Sequence, residues 1–227
     1  MKSQKNIKSM VLLGLMAAVL VILAYTPLGY LNIGPLAITF NTIPVAIAAI
    51  ALGPVGGIVA GGVFGLTSFL QCFGGSVLGT TLFGISPILT VFQCFVPRML
   101  DGLLIGLLSN AMRKHCTSAI ANCAVTGFFA AFLNTLFYMS SLILLFGKTD
   151  IILSYRETLA PGKNVFLFVC AFVGINAIAE WVSSTLVTGA VGAALTKPLL
   201  ILWHGHCQLI YKNLHLFQTD GLPDNSR

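Results

Sequence analysis

Long apolar runs follow one another along this chain, and the charged residues fall almost entirely between them. A helix needs roughly 20 apolar residues to cross the hydrocarbon core of a bilayer. The pattern predicts six spans, over about 10–25, 42–52, 55–71, 87–114, 118–146 and 164–195. Gly53-Pro54 reads as a sharp, uncharged turn between the second and third. Two connecting stretches, 26–40 and 72–86, carry no charge and mix turn residues with apolar ones. The stretch 147–163 is polar, with Lys148, Asp150, Arg156, Glu157 and Lys163 nearly in balance. The expected fold is an all-α polytopic membrane protein of six transmembrane helices. Residues 1–9 are expected to form a cytoplasmic tail, 10–197 the six-helix membrane domain, and 198–227 a cytoplasmic or interfacial tail.

Charge placement fixes the expected orientation. Lys2, Lys5, Lys8, Arg113, Lys114, Lys197, Lys212 and Arg227 cluster at one set of span ends, and Lys148, Arg156 and Lys163 at the other. By the positive-inside rule the first set is cytoplasmic, which puts both termini inside. Only 8% of the 227 residues are charged and 57% are apolar, where a soluble domain carries about a quarter charged. The net charge of +6 is therefore a topological signal and implies no nucleic-acid partner; the expected surroundings are membrane lipid. The basic start followed by an apolar run lacks a small-residue cleavage site at Tyr25-Thr26-Pro27, so no cleavable signal is expected. Cysteines 72, 94, 116, 123, 170 and 207 show no CxxC spacing and read as small apolar fillers. His204, His206, Cys207 and His215 match no metal-ligand pattern, and the tail reads as an interfacial helix anchored by Trp203 and Tyr211. No metal and no cofactor is expected.

Polar residues inside the spans change the picture. Arg98 lies 15 residues before Arg113, or about 22 Å up a helix, too deep for a cytoplasmic anchor. It can snorkel outward, pair with Asp101 one turn on, or bind a buried anion. Asn176 and Glu180 share a helix face, and Asn134, Asn176 and Arg98 fall at comparable depth. Such groups are unstable facing lipid and are expected to converge. An Arg98–Glu180 pair that locks the bundle and a ligand site built on it are compatible readings. No HExxH, GxSxG, membrane aspartate pair or phosphate-binding glycine loop is present, so neither an enzyme nor autonomous ATP hydrolysis is expected.

The segments NTIPVAIAAIALGPVGGIVAGGVFGLTSFL (41–70), PRMLDGLLIGLL (97–108), AAFLNTLFYMSSLILLFG (130–147) and VGINAIAEWV (173–182) resemble the substrate-binding S components of energy-coupling factor vitamin transporters, most of all the pantothenate-type branch. The resemblance spans about 8–197. It implies a six-helix bundle in the cell membrane with an outward pocket, closed by the loop at 27–35. It implies as partners a small vitamin, a transmembrane coupling (T) subunit and two ATPase subunits. Carried onto this chain, it makes Arg98 the partner of the substrate carboxylate, and Asn134 and Asn176 partners of hydroxyl or amide groups. Glu180 would accept from a substrate hydroxyl or orient Arg98, and Asn41, Thr67 and Gln71 form a second rank of pocket residues. Gly14, Ala17 and Ala18 would form the small-residue docking surface for the coupling subunit, with Gly14 in place of the usual alanine. Asp101 stands where an apolar residue is expected, and a carboxylate there would partly neutralise Arg98. The alternative is an autonomous secondary transporter or channel for a small organic anion; inverted repeats would favour it, and no convincing repeat is visible.

Overall fold

A computed structural model of the chain describes residues 2–26, 30–32, 37–115, 118–159, 174, 177–192 and 194. Apart from short turns and one ribbon, these residues are helical. α1 runs Lys2–Tyr25, and strands β1 (Tyr30–Asn32) and β2 (Ala37–Thr39) follow. Next come α2 (Thr42–Gln71), α3 (Val77–Ile85), α4 (Pro87–His115), α5 (Ala119–Phe146) and α6 (Asp150–Leu159). A last helix, α7, covers 177–192. α2, α4 and α5 are long and apolar enough to cross a membrane, and α1 contributes a shorter apolar stretch over Ser9–Tyr25. The tail 198–227, with its histidines, lies outside the described residues.

Gly53 organises the bundle. Its φ of 72° and ψ of −159° interrupt α2, a conformation that costs a residue with a Cβ dearly. The chain folds back there. A Cβ built on Gly57 would lie 3.2 Å from the Cβ of Ala49, whereas a straight helix separates positions eight apart by about 12 Å. Pro54 opens the second limb at the place where a missing N–H costs nothing. Arg113 closes the end of the first limb by donating to the Ile50 carbonyl. That first limb, 42–52, is about 16 Å long, only half of the hydrocarbon core, and every residue from Asn41 to Ile50 is buried. Its outer end therefore stands in mid-bundle.

The second limb packs against α4 through glycine. Positions 57, 61 and 65 on α2 face 102, 98 and 94 on α4, and Gly106 faces Pro54. A Cβ on Gly57 or Gly102 would strike the other's backbone, and one on Gly61 would strike the Arg98 carbonyl. Four-residue spacing keeps these glycines on one face, so the two backbones approach closely. α1 lays Met16 and Leu20 against Ile43, Ile47 and Phe64 of α2. Gln71 Nε2 donates to the Ala24 carbonyl at 2.6 Å, tying the C-terminal end of α1 to that of α2.

Three features depart from the pattern-based expectation. α1 continues back to Lys2, through the segment expected as a tail. The loop 72–86 contains α3, whose first turn is capped by Ser76 Oγ accepting from Gly79 N at 3.2 Å. The polar stretch 147–163 contains α6, with Asp150 in its first turn and Arg156 in its last, each sign matching the helix dipole. Leu78 and Leu82 of α3 and Ile152 of α6 join Met139, Leu142 and Phe146 of α5 in an apolar cluster at the C-terminal end of α5.

Candidate functional site

Arg98 sits one residue after Pro97, in mid-α4. It is 8% exposed. Its guanidinium carbon lies 4.4 Å from the Phe64 ring centre and 5.2 Å from that of Tyr138, so two π faces help to hold the buried charge. Nη1 donates to the Cys94 carbonyl at 3.3 Å, one turn back on the same helix. Nε is buried with no hydrogen-bond partner.

Three other elements bring polar groups to this depth. Gln93 Nε2 donates to the Tyr138 carbonyl at 2.9 Å, which fixes the register of α5 against α4. Asn134, one turn before Tyr138, thereby comes level with Arg98; it is 6% exposed, with Oδ1 unpartnered. Asn41 stands just ahead of the short limb of α2, wholly buried, with no capping bond and both amide atoms unpartnered. Glu180 on α7 is 7% exposed, and its Oε1 accepts the Thr39 N–H at 2.7 Å. That bond brings the end of the ribbon down to the site, which explains why the first limb of α2 can be half-length.

Asp101 is 2% exposed, with Oδ1 unpartnered. Among the described residues no hydrogen bond joins Arg98 to the carboxylate of Asp101 or of Glu180. Neither of the two pairings weighed beside substrate binding, Arg98–Asp101 and Arg98–Glu180, is thus made by a hydrogen bond. Thr67 and Gln71 lie farther out along α2 and are engaged locally, Thr67 Oγ1 with the Phe64 carbonyl at 2.9 Å and Gln71 with α1. Asn176 lies outside the described residues.

Sequence reasoning missed Phe64, Tyr138 and Gln93. Gln93 could have been found by the rule that singled out Arg98, as a polar residue within an apolar span. The two rings carry no such signal, because Phe and Tyr are ordinary in a membrane helix.

A guanidinium with an open donor, flanked by amides inside apolar helices, suits a small solute bearing a carboxylate and polar groups. Fold and site together define a membrane-embedded solute-binding protein. The chain belongs to the family "ECF transporter, substrate-specific component", whose model matches residues 8–192. It is also 31% identical over 179 residues to the pantothenate transporter PanT of Leuconostoc mesenteroides subsp. mesenteroides, covering 76% of this chain and 81% of the relative. It is accordingly a multi-pass cell-membrane protein with the role of substrate recognition in a transporter, not an enzyme.

Proposed function

We propose that this protein captures pantothenate at the Arg98 layer and delivers it to an ATP-driven importer. The observation that carries the reading is the Arg98 site itself: a buried guanidinium with Nε unpartnered, at one depth with the unpartnered amide atoms of Asn41 and Asn134. Pantothenate offers a carboxylate for the first, and an amide and two hydroxyls for the others. The printed name of the relative, a pantothenate transporter, supports the same substrate. Glu180 holds the end of the ribbon at the site through Thr39, Asn176, four residues before it in the sequence, adds an amide, and Thr67 and Gln71 line the approach.

In this reading the chain crosses the membrane six times with both termini in the cytoplasm, the ribbon and the short limb of α2 together making one crossing. The membrane domain is 10–197, with 1–9 and 198–227 outside it. A transmembrane coupling subunit and two ATPases complete the transporter. Gly14 and Ala18 form the docking surface, with Ala17 at its edge. What supports this is exposure: Gly14 and Ala18 lie on the outward face of α1, and a Cβ on Gly14 would meet nothing within 4 Å.

Calorimetric titration of pantothenate into the purified protein, wild type beside Arg98→Ala, tests the site. Truncating a buried charge-pair partner costs about 2–5 kcal/mol, so affinity should fall by about thirtyfold or more. Unchanged affinity in Arg98→Ala would make the arginine purely structural.

A further inference from the structure

Two cysteines that no sequence motif joins lie together in the fold. Cys72 caps the C-terminal end of α2, and Cys94 stands in α4, one turn before Arg98. Their sulfurs are 3.9 Å apart, and both residues are buried. The glycine seam brings them there: a Cβ built on Gly65 would lie only 2.9 Å from the Cys94 carbonyl oxygen, so at this level the two backbones are close enough for short side chains to touch. A disulfide bond is about 2.05 Å long, so roughly 2 Å of approach between the sulfurs would form one. Side-chain rotation with a small backbone shift supplies that. The residues that follow Cys72, namely Phe73, Gly74 and Gly75, are exposed, which leaves a small reagent a short way in. The pair also adjoins the site. The Cys94 carbonyl accepts from Arg98 Nη1, and Gln71, next to Cys72, holds the end of α1.

We propose that Cys72 and Cys94 are a modification site, a dithiol that a peroxide converts to a disulfide across the α2–α4 seam, and that this bond slows the exchange of solute at Arg98. One thiol, as thiolate, attacks a peroxide oxygen; the O–O bond breaks, leaving a sulfenic acid and one water. The second thiol attacks that sulfur, the S–O bond breaks, and a second water leaves with the remaining proton. Each sulfur gives up one electron and the peroxide accepts both. In the six-span reading above, this end of α2 lies on the outer side of the membrane, where disulfides form and persist. The bond adds a covalent tie beside the hydrogen bond from Gln71 to the end of α1. The ends of α1 and α2 and the Arg98 turn of α4 then move together, and any parting of them that admits solute is restrained. The effect on exchange rests on the substrate reading; the disulfide itself does not.

The experiment treats the full-length protein in detergent with hydrogen peroxide, blocks remaining thiols with iodoacetamide, and digests with chymotrypsin, which cuts at Phe73, Phe83 and Phe92 between the two cysteines. The expected product is a linked pair of peptides containing Cys72 and Cys94, separated by dithiothreitol. On the same samples, release of radiolabelled pantothenate into an unlabelled chase should be several-fold slower after oxidation and return to its first rate on reduction. Cys72→Ala should release pantothenate at one rate before and after peroxide, which separates the disulfide from oxidation elsewhere in the chain. Alkylation of both cysteines with no linked peptide overturns the modification site. A complete link with unchanged release overturns its effect on exchange. Failure of the reduced protein to bind pantothenate removes the substrate reading and the effect on exchange with it, while the linked peptide still decides the disulfide.

Discussion

Two rows of small residues in this protein share a sequence signature and differ in what surrounds them. Gly57, Gly61 and Gly65 on α2 repeat every four residues, and α4 lies against them so closely that a methyl group has no room. Gly14 and Ala18 on α1 have the same spacing, yet the space beside Gly14 is open. The first row is consumed within the fold, where it brings the backbone around Arg98 against α2. Among the described residues nothing packs on the second, because Met16, Leu20 and Ala24, on the other side of α1, make the contact with α2. A small-xxx-small pattern therefore marks where a backbone can be approached, and does not tell which helix approaches it.

The sharpest way to break this comparison is to fill both rows. Gly61→Leu forces a side chain into the α4 backbone and should cost about 3 kcal/mol or more, leaving no monodisperse folded species on size exclusion. A variant with an unchanged unfolding temperature would mean that the seam is not close-packed. Next in size is Gly53→Ala, which places a Cβ at a positive φ with extended ψ, a conformation open essentially to glycine alone. It should lower stability by about 1–3 kcal/mol, read as an earlier thermal unfolding midpoint. Gln71→Met removes the bond to the Ala24 carbonyl and should cost about 1 kcal/mol, with faster protease cleavage after α1. The smallest effect on stability belongs to Gly14→Leu, below about 0.5 kcal/mol. That variant should retain pantothenate affinity while recovering several-fold less coupling subunit on co-purification. Equal recovery with wild type would move the docking surface elsewhere.

Much of the fold was legible because hydropathy in a membrane is a strong signal. Backbone groups must be satisfied within each segment, so an apolar run of sufficient length has little choice but helix. Gly53-Pro54 announced its turn by composition. α3 and α6 went unread because each is about ten residues long, too short for a span. Their capping signals, Ser76 and the Asp150/Arg156 pair, are local and easily passed over in a loop. In the site, Arg98, Asn134, Glu180 and Asn41 could be named from chemistry alone, since a polar group at that depth needs a reason. Phe64 and Tyr138 could not, and neither could the engagement of Gln71 with α1.

What the sequence determined by itself is therefore the class of protein, the helical segments and the polar residues obliged to hide from lipid. Each of these follows from the cost of exposing a backbone or a charge to hydrocarbon, a cost paid residue by residue. Tertiary structure decided which faces meet: that one glycine row is filled and the other open, that the first limb of α2 stops in mid-bundle, and that Arg98 lies between two rings and is bonded to neither carboxylate. Those outcomes depend on helix rotation and register, which are set by the packing of all the elements together and are written in no single stretch of the chain.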